Sequence, residues 1–227
     1  MEGEEQDRHS KALDAELIAD PDERARVEAR NGLKQFDAVI ELIEHFSDPE
    51  RKFKLRPSQL LHLHRIALKG LSSYAGNFRP SGVEIGGSKH EPVGAHMVPE
   101  EVEHMCDYVN DNWEKSSPIH LAAYALWKLN WIHPFTDGNG RTARALSYLL
   151  LCLRLGYRLP GANTIPAQIS QDKNPYYKAL EAADKQWREK KIDLSQLEEL
   201  LADLLANQLV SVHDQAVGPK RKESSQG

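Results

Sequence analysis

The sequence predicts an all-α domain, a helical bundle carrying one small β-hairpin. Three observations predict it. Apolar residues recur at helical spacing in successive stretches. Prolines, glycines and polar turns separate those stretches. One segment, residues 76–99, breaks the pattern with an alternating Val83-Glu84-Ile85 run before a Gly86-Gly87-Ser88 turn. A chain of 227 residues can bury one sizeable core.

The elements follow in order. Residues 1–20 form a flexible N-terminal segment, and the domain proper spans 21–190. Residues 22–47 make an amphipathic helix with Leu33, Phe36, Val39, Ile40, Leu42 and Ile43 on its apolar side. Pro57 to Leu71 is the second helix. The hairpin follows, its turn supplied by glycine and its exit by Pro92-Val93. An isolated hairpin is marginal in water, so it must pack on the helices. Pro99 to Trp113, Pro118 to Trp131 and Asn139 to Leu155 are the next three helices. Asn174 and Pro175 mark the start of another, which runs to Lys190. The last helix, 194–212 within a 191–217 segment, carries a stripe of Leu197, Leu200, Leu201, Leu204, Leu205 and Leu209. That stripe suits either the core, the favoured reading, or a homodimer seam. The tail, 218–227, is polar and reads as disordered.

Composition narrows the functional classes. Forty per cent hydrophobic and 28% charged residues suit a soluble globular domain. The net charge is −5 and the basic residues form no stripe, so no nucleic-acid partner is expected. No apolar run reaches about 18 residues, so no membrane span is expected. The opening Met-Glu-Gly-Glu-Glu-Gln-Asp lacks the parts of a signal peptide, and Cys106 and Cys152 lie in apolar helical contexts. Both features point to a reducing, cytoplasmic setting. His62 and His64 lack metal-ligand spacing and read as packing or surface residues rather than zinc ligands.

The chemistry concentrates in His133-Pro-Phe-Thr-Asp137-Gly138-Asn139-Gly140-Arg141-Thr-Ala-Arg144. Apolar helical stretches flank it, so it is a polar loop running into a helix N-terminus. There unpaired amides and the helix dipole favour an anion. Gly138 and Gly140 permit close approach of a phosphate to the backbone. Asn139 between them tolerates left-handed geometry. Arg141 and Arg144 share one helix face and suit phosphate oxygens. Asp137 offers the hard oxygen that a polyphosphate-bound Mg²⁺ requires. His133 titrates near neutrality and could serve as a general base for a hydroxyl. Together they describe transfer of a phosphorus-centred group from a magnesium nucleotide to an alcohol.

This run resembles, position for position, the Fic family signature H-P-F-x-[D/E]-G-N-G-R-x-x-R. The resemblance covers about residues 22–190, most firmly 74–156. It implies a protein adenylyltransferase (an AMPylator) that uses ATP and Mg²⁺ to attach AMP to a Ser, Thr or Tyr hydroxyl of a target protein, with autoAMPylation as a side reaction. His133 then resembles the base. Asp137 resembles the Mg²⁺ ligand, and Gly138, Asn139 and Gly140 the anion hole, with Asn139 also assisting at the phosphates. Arg141 and Arg144 resemble the phosphate-holding residues. The related Doc kinases carry lysine at the position of Gly140, so glycine there favours AMP transfer. The hairpin resembles the family flap, whose edge binds the target by strand addition. Val83, Ile85, Gly87, Ser88, Lys89 and His90 are its target-facing candidates. Tyr176 and Tyr177 resemble the wall of the adenine pocket.

The family's inhibitory pattern, [S/T]-x-x-x-E-[G/N], is matched only in part by Ser10-Lys-Ala-Leu-Asp14-Ala15, where Asp14 replaces glutamate and Ala15 replaces Gly or Asn. Weak or absent self-inhibition through Asp14 is the expectation. Glu28 is a weaker candidate, because no Ser or Thr lies four residues before it. The motif leaves open removal of AMP, use of another nucleotide and, from a different class, a non-catalytic Fic-fold interaction module.

Overall fold

Proline together with a polar cap sets the starts of three helices. Asp20 accepts hydrogen bonds from the amides of Asp22 and Glu23 and precedes Pro21, opening α1 (Pro21–Phe46). Ser117 caps α4 (Pro118–Ile132) through the His120 amide. Thr164 caps α6 (Ile165–Gln171) through the Ala167 amide. The computed structural model describes residues 8, 10–11 and 17–217, with Lys11 and Val217 described by backbone alone. Asp14 and the 218–227 tail lie outside the described residues. The remaining elements are β1 (Ser10–Lys11), α2 (Pro57–Leu68), β2 (Glu84–Ile85), α3 (Val98–Asp111), α5 (Asn139–Leu155), α7 (Asn174–Arg188) and α8 (Ser195–Val217). The all-α class is what the described residues show.

Helix α4 forms the centre. Leu121, Ala122, Ala123, Ala125, Leu126, Trp127 and Leu129 are all buried, so its apolar surface runs all the way round rather than in a stripe. It packs on α3, α5, α7 and α8, while α1 and α2 close the other side of α5. The charged side chain of Lys128 enters this core. Lys128 pairs with Glu101 at 2.9 Å and lies 3.8 Å from the centroid of the Trp131 ring, so its charge is met on both sides. Both cysteines are buried and unpaired, as read from the sequence.

Toward its N-terminus the inward face of α1 is polar where the sequence suggested apolar. Leu33 is 71% exposed, whereas Val39, Ile40 and Ile43 are buried. Toward its N-terminus the inner face continues through Asn31 and Gln35. Asn31 donates to the carbonyls of Ala67 and Lys69, satisfying the end of α2, and Gln35 donates to that of Leu63. Three further differences concern short or terminal elements. Helix α6 was not anticipated. Within the leucine stripe of α8, Leu197 and Leu201 are buried against the core but Leu209 is 41% exposed. The flap strand β2 does not pair with its own return arm. A turn closes at Ile85–Ser88, yet β2 is paired antiparallel with β1, Ser10 opposite Ile85 and Lys11 opposite Glu84. The return arm is committed elsewhere: His90 donates to the Trp131 carbonyl, and the Val93 carbonyl accepts from Arg79.

Candidate active site

The motif loop joins α4 to α5 and is built to hold a bent backbone. His133 ends α4 with φ 52°, a left-handed conformation rare for a side chain larger than glycine. Gly138 starts α5 with φ 76°, and a Cβ there would lie 2.3 Å from Leu68 Cδ2. Only glycine fits both demands. Gly138→Ala is expected to cost about 2–4 kcal/mol from left-handed backbone and overpacking together. Urea unfolding checks this, and an unchanged midpoint would contradict it.

Two residues outside the motif, His64 and Arg79, hold the loop. His64 on α2 is fully buried and stacks on Phe135 at 3.7 Å between ring centroids. Its Nδ1 accepts from the Gly76 amide, so its Nε2–H donates to the Asp137 carbonyl at 3.0 Å. Arg79 donates through Nε to the His133 carbonyl at 2.8 Å and through its other nitrogens to the carbonyls of Ser81 and Val93. One guanidinium therefore ties the flap to the loop. Neither role was legible in the sequence, because the partners are carbonyls, which carry no residue type. Asn139 is also a loop brace. Its Oδ1 accepts from the Phe135 amide and its Nδ2 donates to the Phe135 carbonyl, both at 2.9 Å. Its side chain braces the loop, and its Nδ2 also lies 3.5 Å from Ser10 Oγ in the cavity.

Asn139 and other motif residues open onto one cavity of about 570 Å³. His133, Asp137, Gly138, Gly140, Arg141 and Arg144 line it, together with Tyr176, Tyr177, Ile85, Ser88 and His90. Val83, Gly87 and Lys89 do not line it, and Gly87 and Lys89 are exposed at the flap turn. His90 is anchored inward on Trp131. The Tyr176 hydroxyl is buried and accepts from Asn130 Nδ2 at 2.7 Å, which makes Tyr176 a floor and Tyr177 the more accessible wall.

The charges are arranged around the N-terminus of α5. Asp137 Oδ2 meets Arg141 at 3.1 Å and Arg24 of α1 at 3.4 Å, while Oδ1 accepts from the Gly138 amide. Glu28 of α1 pairs with Arg24 at 3.2 Å and lies 4.0 Å from Arg141. The sequence reading had no role for Arg24. Among the described residues no group of three His, Cys, Asp or Glu side chains could hold a metal ion. A lone carboxylate beside an anion site suits a Mg²⁺ that arrives on a polyphosphate, since Mg²⁺ commonly takes only one or two protein carboxylates.

His133 is 6% exposed, and burial lowers its pKa to about 4. Its Nδ1 lies 3.3 Å from the Asn130 carbonyl, which can only accept. The proton of the neutral ring therefore sits on Nδ1, leaving Nε2 as a free base directed into the cavity. A hydroxyl meets it there: Ser10 Oγ lies 2.7 Å from Nε2. No described helix is long and apolar enough to cross a membrane.

Comparison with known proteins places this geometry. Residues 54–151 match the Fic/DOC family model. The chain is 33% identical over 133 residues to Protein adenylyltransferase fic-1 of Caenorhabditis briggsae, covering 58% of this chain and 26% of that protein. It is 36% identical over 136 residues to Protein adenylyltransferase Fic of Drosophila willistoni, covering 59% and 26%. The solved structure of Fic-1 (residues 134–508) from C. elegans superposes with a TM-score of 0.65 at 25% identity, over 88% of this chain and 55% of that one. The chain spans about a quarter of the length of the curated relatives it matches. The motif segment lies within the residues that match the Fic/DOC family model, and the chain shares its helical architecture with a solved Fic structure.

Proposed function

We propose that this domain is a protein adenylyltransferase, moving AMP from Mg-ATP to a hydroxyl side chain of a protein. One observation carries the reading. An unprotonated imidazole nitrogen, His133 Nε2, meets a hydroxyl at 2.7 Å in the cavity that receives the N-terminus of α5. The relatives named as adenylyltransferases support the choice of AMP and ATP.

The chain's own residues then divide the work. The amides at the start of α5 and the guanidinium groups of Arg141 and Arg144 bind the triphosphate. Asp137 would ligate the Mg²⁺ carried by that triphosphate; the ion, when bound, neutralises phosphate charge. His133 Nε2 takes the proton of the incoming hydroxyl, and Asn130 holds the other ring nitrogen so that the tautomer is correct. Tyr177 and the floor provided by Tyr176 form the wall for adenine. Target backbone adds to the β2 edge, a geometry supported by the antiparallel strand that pairs there. Catalysis rests on positioning and electrostatics.

The test uses ATP labelled in turn at the α- and the γ-phosphate, with the full chain and an added protein acceptor mixture. Adenylyl transfer predicts label on protein from the α position only. Label from the γ position would make the domain a kinase, and no label with any nucleoside triphosphate would leave a binding module.

A further inference from the structure

Residues 8, 10 and 11 dock on the site at two places. Ser10 and Lys11 pair with the flap strand in antiparallel register, Ser10 opposite Ile85. Two positions earlier, the Arg8 guanidinium lies 4.3 Å from the centroid of the Tyr177 ring and pairs with Glu181. Side chains alternate along a strand, so a slip of one residue would swing Ser10 to the opposite face. In the observed register its hydroxyl reaches His133 Nε2 at 2.7 Å and lies 3.5 Å from Asn139 Nδ2. A strand on the flap edge with a hydroxyl on the base has the form of a bound acceptor, supplied here by the chain itself.

We propose that Ser10 is an acceptor in cis, a modification site that this domain adenylylates on its own chain. The proposal rests on the adenylyltransferase reading above. Ser10 Oγ attacks the α-phosphorus of the nucleoside triphosphate. The Oγ–Pα bond forms as the bond from Pα to the α,β-bridging oxygen breaks. Pyrophosphate leaves with that electron pair, and the hydroxyl proton passes to His133 Nε2. A bare structural role for Ser10, as a plug on the histidine, would leave it unmodified.

The full chain is incubated with Mg-ATP, and its adduct is mapped by tandem mass spectrometry of peptides, alongside α-label transfer to an added acceptor mixture. The expected result is one adenylate on Ser10, formed at a rate independent of protein concentration. Ser10→Ala loses that adduct, Ser10→Thr keeps it, and a tagged His133→Ala chain mixed with wild type stays unmodified. An adduct on another residue with Ser10 unmodified overturns the proposal. So does a rate that scales with concentration, or transfer to added acceptors with none to Ser10. Each of those results leaves the adenylyltransferase reading standing. Absence of α-label transfer to any protein overturns both.

Discussion

Replacing His133 by alanine is expected to lower transfer by about 10²–10⁴-fold, the usual contribution of a positioned general base. Nucleotide binding should survive, because the phosphate-binding groups belong to α5 and not to the histidine. A thermal shift with Mg-ATP checks binding, and a single-turnover assay with α-labelled ATP checks the rate. Alanine also inherits a backbone at φ 52°, which strains it slightly. His133→Asn is the control, since asparagine tolerates that conformation and carries no base. Both variants should lose activity equally, and a rate like wild type in either would remove His133 from this role. The pH profile gives a second reading. Burial holds the free-site imidazole at about 4, so the base is available above that pH and lost below it. The acid limb of kcat/KM should therefore fall near pH 4. Triphosphate charge beside the ring favours the imidazolium, so the acid limb of kcat should lie higher.

Stability is expected to fall steeply between about pH 6.5 and pH 4. His64 and His133 are both lowered from 6.5 to about 4, with burial the largest cause in each. A depressed folded pKa means that the unfolded chain holds protons in this window that the native chain refuses. Native stability is then complete above the unfolded value and declines as pH drops toward the folded one. Each group contributes on the order of 3 kcal/mol across the window. Geometry explains the refusal at His64. Its Nδ1 accepts from the Gly76 amide, and a proton there would set two N–H groups against each other. Half-buried Asp184, whose carboxyl is held above the ordinary range by desolvation, works in the opposite direction by taking up a proton in the fold. Urea unfolding at a series of pH values measures the sum. His64→Gln should flatten the decline by about half, and an unchanged slope would assign the acid loss elsewhere.

Much of the architecture was legible because its causes are local. Proline with a capping Asp or Ser sets the starts of α1 and α4, and Gly156 at φ 82° ends α5 within the chain's own few residues. Helical periodicity located the long helices to within a few positions. It misled at Leu33, because the inner face of α1 is completed by Asn31 and Gln35, polar residues whose partners are carbonyls of α2. Hydropathy cannot anticipate such partners. The flap showed the same limit. Val83 to Ser88 announced a strand and a turn, yet the pairing went to Ser10 and Lys11, more than seventy residues upstream.

What the sequence determined by itself is the reactive set: a base, a carboxylate, a glycine-lined turn and two arginines in one unbroken run, where the spacing and the chemistry are properties of consecutive residues. The tertiary structure decided how that set is held and what it faces. His64 and Arg79 fix the loop through backbone carbonyls, Arg24 brings a cation to Asp137 from α1, and the first strand carries Ser10 to His133 across 123 residues of chain. Contacts of that kind depend on the folded path of the backbone, because carbonyls and amides are common to every residue and reveal their partners only when the chain has closed.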